Sequence, residues 1–312
     1  MARRPPREGA VAAEGNSLHC MATTLRYRVV DVFTQTALEG NPLAVFYEER
    51  DLAPELMLRI ARELNLSETC FLMPATRGDC ALRVRIFTPA RELLFAGHPT
   101  IGAAYVALEC NLAAGERQSF AFEEGVGPVA VTVEGPVIWL STPPIERIGQ
   151  CDRAACARAL DLREWDLLAD VPPEIYSAGN PMLFVAVNDP ATVDGACVDS
   201  QVLRALEEQI GQNVGLFVFA PTVAGAYSRM FAPELGVVED PATGSATGPL
   251  AAYMMAHGLC STAGGTTLTS EQGTKIGRRS LLSVRIRGEK GCEGIDVGGH
   301  VTPVIDAILT LP

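Results

Sequence analysis

Three side chains combine an acid–base group with surroundings that could use it: Glu68 in NLSETCFL, His98 in FAGHPTIG and Asp240 in VVEDPATGSATG. Glu68 stands between a helical run and an apolar strand, where burial raises a carboxyl pKa toward neutrality and suits it to giving and taking a proton. Taken singly, each has a plainer use: Glu68 bonded to backbone at a helix end, His98 capping a helix, Asp240 making a turn before Pro241. What sets them apart is the pair of glycine turns beside two of them. Gly97 and Gly244 each open a G-x-x-T that leads straight into a small-residue apolar run. A helix starting there exposes unpaired N–H groups and the positive end of its dipole, which attracts anions.

The familiar anion and nucleophile motifs do not fit these turns. GSATGPL lacks the Lys-Ser/Thr of a phosphate-binding loop, and neither turn reads G-x-G-x-x-G. Ser245 is not centred in G-x-S-x-G, and Asp296 and His300 share one short segment instead of lying on separate loops. A small carboxylate is the anion that remains, with Gly97, Gly244, Ser245 and Ser67 as its candidate contacts. Metal chemistry has little to build on: the four histidines, His19, His98, His257 and His300, include no i, i+4 pair, and no two of the nine cysteines stand in C-x-x-C spacing. No metal ligand and no cofactor is assigned.

The elements that must position these residues occur twice. Gly40-Asn41-Pro42 before an apolar run returns as Gly179-Asn180-Pro181. R-x-F-x-P spans Arg85 to Pro89 and again Arg229 to Pro233, and Glu followed five residues later by the glycine turn occurs at Glu92 and at Glu239. The offsets are 139, 144 and 147 residues (40 to 179, 85 to 229, 92 to 239), which points to two copies of one unit. RYRVVDVF, ALRVRIF, PVAVTVEG, VIWLST, LFVAV, GLFVFAP and SVRIRG read as strands. PELMLRIARELN, with Leu56, Ile60 and Leu64 in phase and Asp51 and Pro54 near its start, reads as a surface helix. TIGAAYVALEC and GPLAAYMMAHG are small or apolar all round, as buried helices are. The expected fold is α+β, two pseudo-symmetric domains, each a curled, mostly antiparallel sheet around a central buried helix.

Composition is consistent with this. Hydrophobic residues make up 48% and charged residues 20%, an ordinary globular balance. A formal charge of −12 without basic runs excludes a nucleic-acid partner and leaves a small-molecule substrate. No stretch approaches the ~18 apolar residues of a membrane helix, so no membrane association is expected. An odd cysteine count with no secretion signal fits a reducing cytoplasm. Residues 1–22 read as a flexible tail. The N-terminal half is expected over 23–140 with the C-terminal strand at about 299–312, and the second half over 141–298.

The longer blocks EGNPLAVF, IARELNLSET, RIFTPARELLFAGHPTIG, RMFAPELGVVEDPATGSATGPLA and QGTKIGR resemble the PhzF-like family of phenazine-biosynthesis isomerases. The resemblance implies a diaminopimelate epimerase-like fold with the active site between two similar domains. It implies an isomerase of trans-2,3-dihydro-3-hydroxyanthranilate that needs no cofactor, and a homodimer. Carried onto this sequence, it makes Glu68 the group that removes and returns the proton. His98 and Asp240 would orient the substrate and assist proton delivery, and Ser245 with the amides near Gly97 and Gly244 would hold its carboxylate, Ser67 being a further contact. The related racemases carry cysteine at both helix starts, where this chain has His98 and Ser245. YSAGNPMLF and GRRS depart from the pattern of the phenazine enzyme. An amino-acid epimerase of the same fold and a non-catalytic small-molecule binding protein are the alternatives.

Overall fold

The computed structural model describes residues 23–48, 51–113, 119–288 and 293–311. The expected tail, 1–22, lies outside the described residues. The first half of the chain runs β1 (Thr23–Val32), β2 (Asn41–Phe46), α1 (Pro54–Leu64), β3 (Glu68–Pro74), β4 (Leu82–Phe87), β5 (Glu92–Leu93), α2 (Gly97–Glu109), β6 (Ser119–Glu124), β7 (Gly127–Glu134) and β8 (Val137–Ser141). Then come β9 (Glu146–Gln150), α3 (Arg153–Ala159), β10 (Glu174–Ser177), β11 (Pro181–Ala186), α4 (Pro190–Gly195), α5 (Ser200–Ile210), β12 (Gly215–Thr222) and β13 (Gly225–Ala232). The chain continues through β14 (Val237–Asp240), α6 (Gly244–Ala256), β15 (Thr267–Gln272), β16 (Ser280–Arg287), β17 (Gly294–Gly299) and β18 (Val301–Leu311).

Followed through its ladders, one ribbon passes from β18 to β1, β2, β3, β4, β6, β7 and β8. There β8 pairs antiparallel with β17, and the ribbon goes on through β16, β15, β13, β12, β11, β10 and β9. Counted inward from either end, the sense of pairing is the same: antiparallel twice, parallel, antiparallel, parallel, antiparallel twice. The duplication in the sequence is therefore a duplication of topology. Two segments cross between the halves. After His300, β17 continues as β18 and closes on β1, while β8, after a four-residue connection, continues as β9 and closes on β10.

Each curled half wraps one central helix. Ten residues of α2, from Gly97 to Ala107, are buried, and it packs on β1, β2, β3 and β8. Likewise ten residues of α6, from Gly244 to Met254, are buried, and it packs on β10, β11, β16 and β17. Neither helix has a polar face, as expected for helices enclosed by a sheet. By contrast α1 buries Met57, Ile60 and Ala61 on one side, begins at Pro54 and ends on Asn65 in the left-handed region. Asp51 takes no part in that start; the N-cap is Ala53, without a side-chain bond. Its counterpart α5, which was not among the expected elements, is capped by the Asp199 carboxylate and stopped by Gly211.

Candidate active site

The glycine of each G-N-P is at positive φ, +69° at Gly40 and +106° at Gly179, so the chain can turn sharply into the strand that follows. Asn41 thereby starts β2 with its side chain fully buried. In both halves the arginine of R-x-F-x-P clasps the later glutamate. Arg85 meets Glu92 at 2.7 Å through both nitrogens, and Arg229 meets Glu239 at 2.9 and 2.7 Å. The second clasp fixes the strand that ends in Asp240.

The central helices meet at their N-termini. A Cβ built on Gly97 would lie 2.6 Å from the Gly244 carbonyl carbon and 2.7 Å from Ser245 N, so only glycine permits this approach. The N-caps are Ala96 and Thr243, and neither caps with its side chain. Thr243 donates its hydroxyl to Asp240 Oδ2 at 2.5 Å instead. No N-cap side chain takes up the first-turn N–H groups; in α6 that of Ala246 bonds back to Thr243 O at 3.1 Å, so Gly97, His98, Gly244 and Ser245 carry the amides open to a ligand.

A cavity of about 510 Å³ opens at this junction. All seven residues singled out in the sequence line it: Ser67, Glu68, Gly97, His98, Asp240, Gly244 and Ser245. Arg91 is the one guanidinium among its lining residues, none of which is lysine; Glu207 and Glu234 lie in the wall as well.

Glu68, the first residue of β3, has its carboxyl pushed up to about 8, chiefly by burial and further by the Asp240 charge, with the Ser67 hydroxyl acting in the opposite direction. Burial likewise raises Asp240, against hydrogen bonds from Thr243 and Asn41 that favour its charged form. Burial lowers His98 to about 3. His98 Nε2 lies 3.3 Å from Glu68 Oε2, yet both atoms are buried without an aligned hydrogen bond. With the imidazole neutral, this is a contact between two groups that each still want a partner, not an ion pair.

Sequence reasoning missed Asn41 as a member of the site, although G-N-P was a landmark. Its Nδ2 donates to Asp240 Oδ1 at 2.8 Å and to Ala242 O at 2.9 Å, and its Oδ1 accepts from Ser67 Oγ at 3.0 Å. Gln272 was missed too: its side chain donates to Asp240 O and Thr243 Oγ1 and accepts from Thr243 N, bracing the turn before α6. Among the described residues no group of His, Cys, Asp and Glu could hold a metal ion. Among the described residues no helix is long and apolar enough to cross a membrane.

Known proteins share this architecture. A PhzF-family protein from Bacillus anthracis matches with a TM-score of 0.83 over 92% of this chain and 99% of its own, at 24% identity. A predicted epimerase from Pseudomonas aeruginosa matches with a TM-score of 0.77 at 34% identity, covering 91% and 99%. The trans-2,3-dihydro-3-hydroxyanthranilate isomerase of Pseudomonas fluorescens is 37% identical over 267 residues, 84% of this chain and 90% of its own length. By class, then, the protein is an isomerase on a duplicated epimerase-like fold. A family model described as phenazine biosynthesis-like protein matches residues 30–307, and the chain belongs to that family.

Proposed function

We propose that the chain catalyses a proton shift on a small cyclic carboxylic acid without a cofactor, in the manner of trans-2,3-dihydro-3-hydroxyanthranilate isomerase, with Glu68 removing a proton from one carbon and returning it to another. One observation carries this: a largely buried carboxyl, pushed up to about 8 and with an oxygen lacking a partner, in the wall of a cavity where two helices begin without side-chain caps. A group with that pKa is protonated in most molecules at neutral pH and ionised in a useful minority, so it can both accept and return a proton. The substrate carboxylate would sit on the amides of Gly97, His98, Gly244 and Ser245 and on the Ser245 hydroxyl. The same helix ends would stabilise the negative charge that develops when the carbon loses its proton. His98 and Asp240 would orient the substrate and assist the return of the proton.

Strand register favours this over stereochemical inversion. Leu43 pairs with Glu68 in β2–β3, and the equivalent Met182 pairs with Gly215 in β11–β12. The position related to Glu68 by the duplication thus has no side chain, and no described cysteine lines the cavity. A two-base epimerase would need a second group on the opposite face. Incubation with trans-2,3-dihydro-3-hydroxyanthranilate in deuterated water is the test. Turnover with deuterium uptake, absent from Glu68→Gln, supports the proposal. Binding without exchange would make the protein a binding module, and no turnover by folded enzyme would remove this substrate. A cytoplasmic homodimer belongs to the same proposal and is checked by sedimentation and cell fractionation.

A further inference from the structure

The orientation of the Asn41 amide is fixed by what faces it. Two oxygens, Asp240 Oδ1 at 2.8 Å and Ala242 O at 2.9 Å, approach one end, and a hydroxyl donor, Ser67 Oγ at 3.0 Å, approaches the other. An amide oxygen turned toward the first pair would be repelled by both, so that end is the NH2 group. The same nitrogen lies 3.3 Å from His98 Nδ1. An amide nitrogen donates and does not accept, so the imidazole nitrogen facing it must present its lone pair. The ring hydrogen then resides on Nε2, the nitrogen 3.3 Å from Glu68 Oε2.

We propose that Asn41 is a positioning residue that fixes His98 as its Nε2–H tautomer, so that the imidazole offers the cavity a donor and never a base. The amide has two hydrogens for three acceptors, and the contact to His98 is the longest of the three. The choice of tautomer survives this sharing, because an Nδ1–H would set donor against donor between two buried side chains. Protonating Nδ1 meets the same obstacle. Glu68 is left as the group of the pair able to take up a proton. Asn41 also ties the halves together, since its acceptors Asp240 and Ala242 lie 199 and 201 residues further along the chain. Only the catalytic meaning of this arrangement rests on the proposed isomerase function; the tautomer itself does not.

The experiment is ¹⁵N NMR of protein labelled at its histidine ring nitrogens, with the His98 signal identified by its loss in His98→Gln. Wild type is expected to show a single Nε2–H form between about pH 5 and pH 9, unlike the mixture of tautomers in a free imidazole. An Nδ1–H form, or a mixture, in folded wild type overturns the proposal, and this arm requires neither variant nor substrate. Asn41→Asp, which replaces the donor by an acceptor of the same shape, is expected to turn the ring to Nδ1–H, and Asn41→Ala to give a mixture. If either variant is folded and keeps the wild-type spectrum, Asn41 does not set the tautomer. With trans-2,3-dihydro-3-hydroxyanthranilate, Asn41→Ala should lose kcat on the order of tenfold to a hundredfold with little change in KM. If wild type does not turn over that compound, the substrate assignment fails while the spectra still decide the tautomer.

Discussion

Replacing Glu68 by Gln keeps the shape of the side chain and removes its proton, so it tests at once the proposed base and the physical origin of its pKa. The carboxyl titrates at about 8 in the folded protein against 4.5 for an unperturbed one. In wild type the ionised fraction is therefore about one tenth at pH 7 and about nine tenths at pH 9, so kcat/KM should rise roughly ninefold between them and flatten above. Stability should run the other way. Below 4.5 the carboxyl is protonated in both states and costs nothing. Between 4.5 and about 8 the unfolded chain ionises while the folded one holds its proton, so unfolding releases a proton and stability falls as pH rises. Above about 8 both states are ionised and the loss is complete, on the order of a few kcal/mol. Gln carries no such penalty and also spares Asp240 a neighbouring charge. Glu68→Gln should thus melt close to wild type at about pH 4.5 and several degrees higher at about pH 9, while turnover falls on the order of a thousandfold. Thermal melts and kcat/KM across this range are the assays. A variant no more stable than wild type at alkaline pH, or a wild-type profile flat through neutrality, would refute the reasoning.

Other outcomes follow from the same geometry. Gly97→Ala should abolish turnover and lower Tm, whereas Gly244→Ala should be milder, because its Cβ would meet backbone at 3.1 Å and not at 2.6 Å; melts and kcat of the two variants compare them. Arg229→Met should cost about 3–5 kcal/mol in denaturant unfolding, since it strands the buried Glu239 carboxylate and frees the carbonyls of Val193, Asp194 and Ala196. Glu124 is a second carboxyl that burial raises to about 8, and it shares the Thr100 hydroxyl, at 2.6 Å, with the carbonyl of Ala96. That hydroxyl has one hydrogen for two acceptors, so a protonated Glu124 donating to Thr100 satisfies all three groups. Glu124→Gln should therefore leave the melt near pH 5 unchanged and raise it near pH 9. Iodoacetamide should leave turnover unaffected, as no described cysteine lines the cavity; loss of activity that substrate protects against would favour a thiol-based epimerase.

Much of this molecule is legible in its sequence. The duplicated landmarks mark places where backbone geometry demands a residue type: glycine at positive φ before β2 and β11, and the arginine and glutamate that clasp each other in both halves. The two buried helices were legible from their lack of a polar face. Less visible were α3, α4 and α5. The signals of α5 were present in Asp199, Leu203, Leu206 and Gly211, but a short amphipathic run among many strand-like segments is easily passed over.

By itself, the sequence determined the doubled topology, the two glycine turns and the candidates Glu68, His98 and Asp240, because each depends on residue type and spacing along the chain. Tertiary structure alone decided that a Gly97–Gly244 contact aims both helix starts at one cavity, that Gly215 is the counterpart of Glu68, and that Asn41 joins Ser67, His98 and Asp240. It also decided the proton affinities. A carboxyl at about 8 and an imidazole at about 3 come from burial among segments far apart in sequence, and that burial exists only once the chain has packed.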